Sequence, residues 1–131
     1  MARIGLFVNE EKQKHVQFDE DTEVLVRFVG KKELAELQRK AQKAARLGGA
    51  DAKDVFNQKL GKAAVKGWRK IGDHGHPGLV VDGKPFPFTE ENLALLMEHS
   101  LDFSAFVNAT AIEAKEFLDD DREELEAGKN G

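Results

Sequence analysis

Glu23-Val24-Leu25-Val26-Arg27-Phe28-Val29 is the stretch on which the fold turns. β-Branched and aromatic residues dominate it, which favours a pleated strand. Apolar side chains nearly fill both of its faces, so it reads as a central strand. Just upstream, His15-Val16-Gln17-Phe18 alternates, placing Val16 and Phe18 on one face. The polar run Asp19-Glu20-Asp21-Thr22 separates the two segments, and the whole reads as a β-hairpin. Residues 4–8 have the composition of a third strand.

Downstream the periodicity changes from two to about 3.6. After Gly30, residues 31–46 carry Leu34, Leu37, Ala41, Ala44 and Ala45 on one helical stripe, and Gly48-Gly49 ends that helix. Asp51 is placed to cap a second helix running through about Lys66, with Val55, Phe56, Leu60, Ala63 and Ala64 inward. Trp68 follows directly and reads as an anchor at the helix end, over the helix–sheet junction. Residues 71–88 hold all three prolines, Pro77, Pro85 and Pro87. Within them Asp82-Gly83 lies between apolar flanks, which predicts a short edge hairpin or an ordered loop. Thr89 caps a short helix bearing Leu93, Leu96 and Met97, and Ser100 or Asp102 caps a longer one. The long helix carries Phe103, Phe106, Val107, Thr110, Ala111, Ala114, Phe117 and Leu118 at near-ideal amphipathic spacing.

The predicted fold class is therefore α+β: a small antiparallel sheet packed with about four α-helices, helix content dominant. Residues 1–118 form the single domain, and residues 119–131 form an acidic, flexible tail. The predicted core is Val24, Val26, Phe28, Leu34, Leu37, Phe56, Leu60, Trp68, Leu93, Leu96, Phe103, Phe106, Val107 and Leu118. At 131 residues the chain has room for one core.

Charge is distributed unevenly. The net charge is −4, yet residues 31–70 hold twelve basic and four acidic side chains, while residues 101–131 hold three basic and nine acidic ones. Segments of opposite sign can attract each other within one molecule or between copies, so self-association is expected. A nucleic-acid-binding module using the basic 31–70 helices is the alternative reading. It ranks behind protein binding because the chain as a whole is acidic.

Little in the sequence points to catalysis. The absence of cysteine removes disulfides, thiolate metal sites and a thiol nucleophile. Asp73-His74-Gly75-His76 is the one cluster with metal-ligand chemistry, and it has no evident fourth ligand, so His74 and His76 read as part of a solvated turn. Ser100 and Ser104 are the only serines, and neither lies in a Gly-x-Ser-x-Gly setting. Gly61-Lys62 lacks the rest of a phosphate-binding loop. The reading is a protein that is not an enzyme, with no cofactor and no metal. No apolar run suffices for a membrane span, and residues 1–9 lack the apolar stretch of a signal peptide, so a cytoplasmic location is expected.

An ordered set of segments resembles the tail assembly chaperones of long-tailed bacteriophages and prophages. The set begins with the strand Thr22-Glu23-Val24-Leu25-Val26-Arg27-Phe28-Val29 and the charged helix opening Lys32-Glu33-Leu34. It continues with Ala63-Ala64-Val65-Lys66-Gly67-Trp68, with Ile71 after it, and Asp82-Gly83-Lys84-Pro85-Phe86-Pro87-Phe88-Thr89-Glu90-Glu91-Asn92. It closes with Asp102-Phe103-Ser104-Ala105-Phe106-Val107, and the likeness spans residues 22–117. The resemblance implies a non-catalytic assembly factor in the bacterial host cell. Its implied partners are the tape-measure protein, which such chaperones coat and keep soluble, and the tail-tube protein, whose subunits they help recruit. The resemblance assigns no partner-binding residues.

Overall fold

The structure, a computed structural model, describes residues 12–113. Strands β1 (Gln13–Gln17) and β2 (Thr22–Arg27) form the predicted hairpin, with Val16 opposite Val24. Its turn is held by the Asp19 carboxylate, which accepts hydrogen bonds from the backbone N–H groups of Asp21 and Thr22. Helices α1 (Lys31–Gly48) and α2 (Ala52–Ala64) then form a helical hairpin, which returns the chain to the sheet as β3 (Val65–Lys70). The sheet order is β1-β2-β3, all antiparallel, so β2 is central as its two-sided apolar pattern predicts.

A second, two-stranded sheet is formed by β4 (Val80–Val81) and β5 (Lys84–Pro85). Asp82 and Gly83 both take positive φ, 52° and 77°, as a tight two-residue hairpin turn demands. Helices α3 (Glu90–His99) and α4 (Leu101–Ala111) complete the chain. The Thr89 hydroxyl caps α3, and the Ser100 hydroxyl, rather than Asp102, caps α4. The fold is α+β with helix dominant.

One face of the sheet makes the core. Val24, Val26, Val65 and Trp68 meet Leu60 and Ala64 of α2, Leu93 and Met97 of α3, and Phe103, Val107 and Ala111 of α4. Phe18 packs edge-on against Phe103 and Phe106, at ring-centre distances of 5.4 and 5.2 Å. Of the predicted core, Leu34, Leu37, Phe56, Leu96 and Phe106 are only partly buried at its rim. Leu118, the possible strand at 4–8 and the 118/119 boundary lie outside the described residues.

Two expectations are corrected. Helix α2 stops at Ala64, short of Lys66, because Val65, Gly67 and Trp68 pair with β2 across a bulge at Leu25/Val26. Tertiary pairing thus overrides the helical period. Trp68 is the core anchor expected, but on a strand rather than at a helix end: it lies opposite Val24, 7% exposed, and its indole N–H donates to the Phe86 carbonyl at 2.7 Å. Helix α4 ends at Ala111, and Ala114, Phe117 and Leu118 of the predicted long helix lie outside the described residues. The Ala111 carbonyl accepts from the backbone N–H of Val29, at 2.8 Å.

Candidate protein-docking groove

Helix α3 packs against α2, and Met97 meets α2 at Gly61. A methyl group there would lie 2.6 Å from Met97 Cγ, so the missing side chain is what lets Met97 seat against α2. Two adjoining hollows of about 390 and 320 Å³ lie between the two helices. Both are lined by Gln58 and Ala94, whose contact bridges the furrow: Gln58 Nε2 donates to the Ala94 carbonyl at 2.9 Å. Buried Leu93 and Met97, with Val55, supply apolar walls. The rims are charged. Lys59 and Lys62 stand across from Glu90 and Glu91 at one end, and Asp54 and Glu98 flank the other. Leu95 on α3 and Leu101 at the start of α4 are exposed, at 47% and 81%. An apolar furrow with charged rims suits the apolar face of a partner helix.

The residue pattern marks this groove only faintly in advance. Gln58 and Ala94 read as ordinary helix residues, and the furrow arises only where α2 and α3, distant in sequence, pack together. The four-residue spacings Asp54–Gln58–Lys62 and Glu90–Ala94–Glu98 are the one trace in the sequence, since each set lies along a single helix face.

The cations of the basic segment 31–70 are spread over three elements, two helices and a strand. At about 100° per residue, Lys31, Lys32, Arg39, Lys40, Lys43 and Arg46 fall within half of the circumference of α1, and all six are exposed. Lys53, Lys59 and Lys62 belong to α2, the latter two on the groove. Lys66, Arg69 and Lys70 lie on β3, in a strand rather than a helix, and Arg69 pairs with Glu23. Arg27 is committed to structure: its guanidinium binds both carboxylate oxygens of Glu33 on α1 and the Ala63 carbonyl of α2.

His74 and His76 are not brought together as ligands. His76 Nδ1 accepts from the Gly78 N–H, which fixes the turn, while exposed His74 lies 3.8 Å from Glu23. Among the described residues no three His, Asp or Glu side chains are grouped to hold a metal ion. Ser100 is occupied as a helix cap, and buried Ser104 donates to the Leu101 carbonyl. No helix among the described residues is long and apolar enough to cross a membrane.

Neither the curated proteins nor the solved structures contain a match to the chain. A family comparison does find one: residues 31–129 match the family described as YdaY prophage protein. That stretch runs from the first residue of α1 through α4 and covers about three quarters of the chain, so the protein belongs to the YdaY family of prophage proteins.

Proposed function

We propose that this prophage protein is a non-catalytic tail assembly chaperone, acting in the cytoplasm of the bacterial host, which binds helical segments of the tape-measure protein and promotes tail-tube assembly around it. The observation that carries the reading is the α2–α3 groove, whose apolar walls and charged rims match an amphipathic helix. A long helical client offers many such faces, and each must be kept from self-association before the tube encloses it. Membership of a prophage family supports the phage setting, and the tape-measure client comes from the resemblance to tail assembly chaperones alone.

The test is co-expression of the full chain with the tape-measure and tail-tube proteins encoded by the same prophage. The wild-type chain is expected to co-purify with the tape-measure protein and hold it soluble. Ala94→Arg, which fills the groove, and the charge reversal Lys59→Glu/Lys62→Glu are expected to abolish capture while leaving the circular dichroism spectrum unchanged. Full capture by folded groove variants would move the site elsewhere, and absence of capture by the wild type would overturn the chaperone reading. The exposed cations of α1 favour one competing reading, nucleic-acid binding. Titration with duplex and single-stranded DNA is expected to show weak binding that vanishes at physiological salt, and tight binding there would reverse the ranking.

A further inference from the structure

Helix α1 is unusual in how little of it is covered. Only Ala41 of its eighteen residues is fully buried, and its six cations form an exposed strip opposite the stripe that faces α2. Among the described residues only Arg39 of these six forms an ion pair, with Glu36 on the same helix. The same chain carries a complementary segment: residues 116–126 contain seven carboxylates against a single cation, Arg122. The structure also places the root of that segment. The last carbonyl of α4, at Ala111, is bonded to the N–H of Val29, and the next residue, Gly30, is the N-cap of α1. The chain therefore leaves α4 at the foot of the cationic helix.

We propose that residues 116–126 dock along the cationic face of α1 within the same molecule and mask it. The proposal does not depend on the chaperone reading. The reach is adequate. From Glu113 to Asp119 an extended chain spans up to about 20 Å, and from Lys31 to Arg46 the helix rises about 22 Å. The acidic run can therefore lie opposite the far half of the strip, around Arg39, Lys40, Lys43 and Arg46. Individually such exposed pairs contribute little. Attachment to the same chain compensates, because a short tether holds the carboxylates at an effective concentration in the millimolar range. A second copy in solution at micromolar concentration competes poorly with that.

The experiment uses the full chain and its lack of cysteine. A nitroxide is attached at Ala127→Cys, and its paramagnetic broadening of backbone amide signals is recorded. The tether alone brings the label near residue 31, so the readout is residues 39–46, compared with α3. Expected is a loss of signal over 39–46 that exceeds the loss over α3. It should be reversed by high salt, by Asp119→Asn/Asp120→Asn/Asp121→Asn, and by Lys40→Gln/Lys43→Gln/Arg46→Gln. In a mixture of isotope-labelled chains without nitroxide and unlabelled chains with it, no such loss is expected. Equal loss over α1 and α3, no loss, loss insensitive to salt and charge, or loss carried by the mixed sample would each overturn docking within one molecule.

Discussion

At the scale of the residue, Trp68 joins the sheet to the proline-rich loop. Its ring stacks on Phe86, with ring centres 6.3 Å apart, meets Phe88 edge-on at 5.0 Å, and donates to the Phe86 carbonyl. Trp68→Phe keeps the aromatic contacts but leaves that carbonyl without its donor. It is expected to cost about 1–3 kcal/mol, measured by urea unfolding followed by far-ultraviolet circular dichroism. A second residue-scale feature is the cluster on the opposite face of the sheet, where His15 of β1 shares its surroundings with Glu23 of β2, Arg69 of β3 and His74 of the following loop. Partial burial lowers the His15 pKa from its ordinary 6.5, and the positive charge of Arg69 adds to this. Glu23 acts the other way, and His74 lowers the pKa further. The native state then binds fewer protons than the unfolded chain once the pH falls below 6.5. Stability contributed by neutral His15 is complete above that pH and is lost as the pH drops through the lowered value. His15→Gln is expected to flatten the fall in urea midpoint between neutral and mildly acidic pH. An unchanged pH profile would show that His15 does not contribute to it.

At the scale of the element, most boundaries follow from local chemistry. Gly49 adopts φ 74° and its N–H bonds back to Ala45, closing α1 as the paired glycines predict. Asp51 caps α2 by accepting from the N–H groups of Lys53 and Asp54. The hairpin turns and the caps at Thr89 and Ser100 were equally legible, because each depends on residues only a few positions apart. What was not legible depends on partners distant in sequence. Val65 to Lys70 becomes a strand because β2 is there to pair with it, and the end of α4 is tied to the sheet by the Val29 N–H, which donates to the Ala111 carbonyl. The packing of α2 on α3 is of the same kind, since Gly61 has meaning only beside Met97, thirty-six positions on. In a free helix Gly61→Ala gains about 1 kcal/mol of helix propensity. Here the added methyl would press on Met97, and a net loss of about 1–3 kcal/mol is expected. Met97→Ala alone should cost about 2–5 kcal/mol through the cavity it leaves. In the double variant the new methyl enters the vacated space, so the two losses should not add. A thermodynamic cycle by urea unfolding is expected to show a favourable coupling of about 0.5–3 kcal/mol, and strict additivity would show that the helices are not in contact there.

At the scale of the whole molecule, the opposition of a basic middle and an acidic end has two outcomes that the sequence leaves equivalent. The carboxylates can cover α1 of their own chain or of the next. The first closes each molecule, and the second is a heterologous contact that builds rings or open arrays. Position decides between them. With the acidic segment rooted beside the N-terminus of α1, its own helix is always within reach, and a neighbour competes only when its concentration approaches the effective value of about 1 mM. Self-association is therefore expected to be weak. Light scattering on the full chain in low salt should give the monomer mass at micromolar concentrations and rise only toward millimolar ones. Salt should suppress that rise, because exposed charges are screened beyond about 10 Å at 0.1 M. The threshold matters for a protein proposed to act in many copies along a rod. Free copies stay closed and separate, whereas copies seated side by side on one client reach the local concentration at which exchange between neighbours becomes competitive. Oligomers at micromolar concentration without any client would mean that the contact between copies prevails from the start.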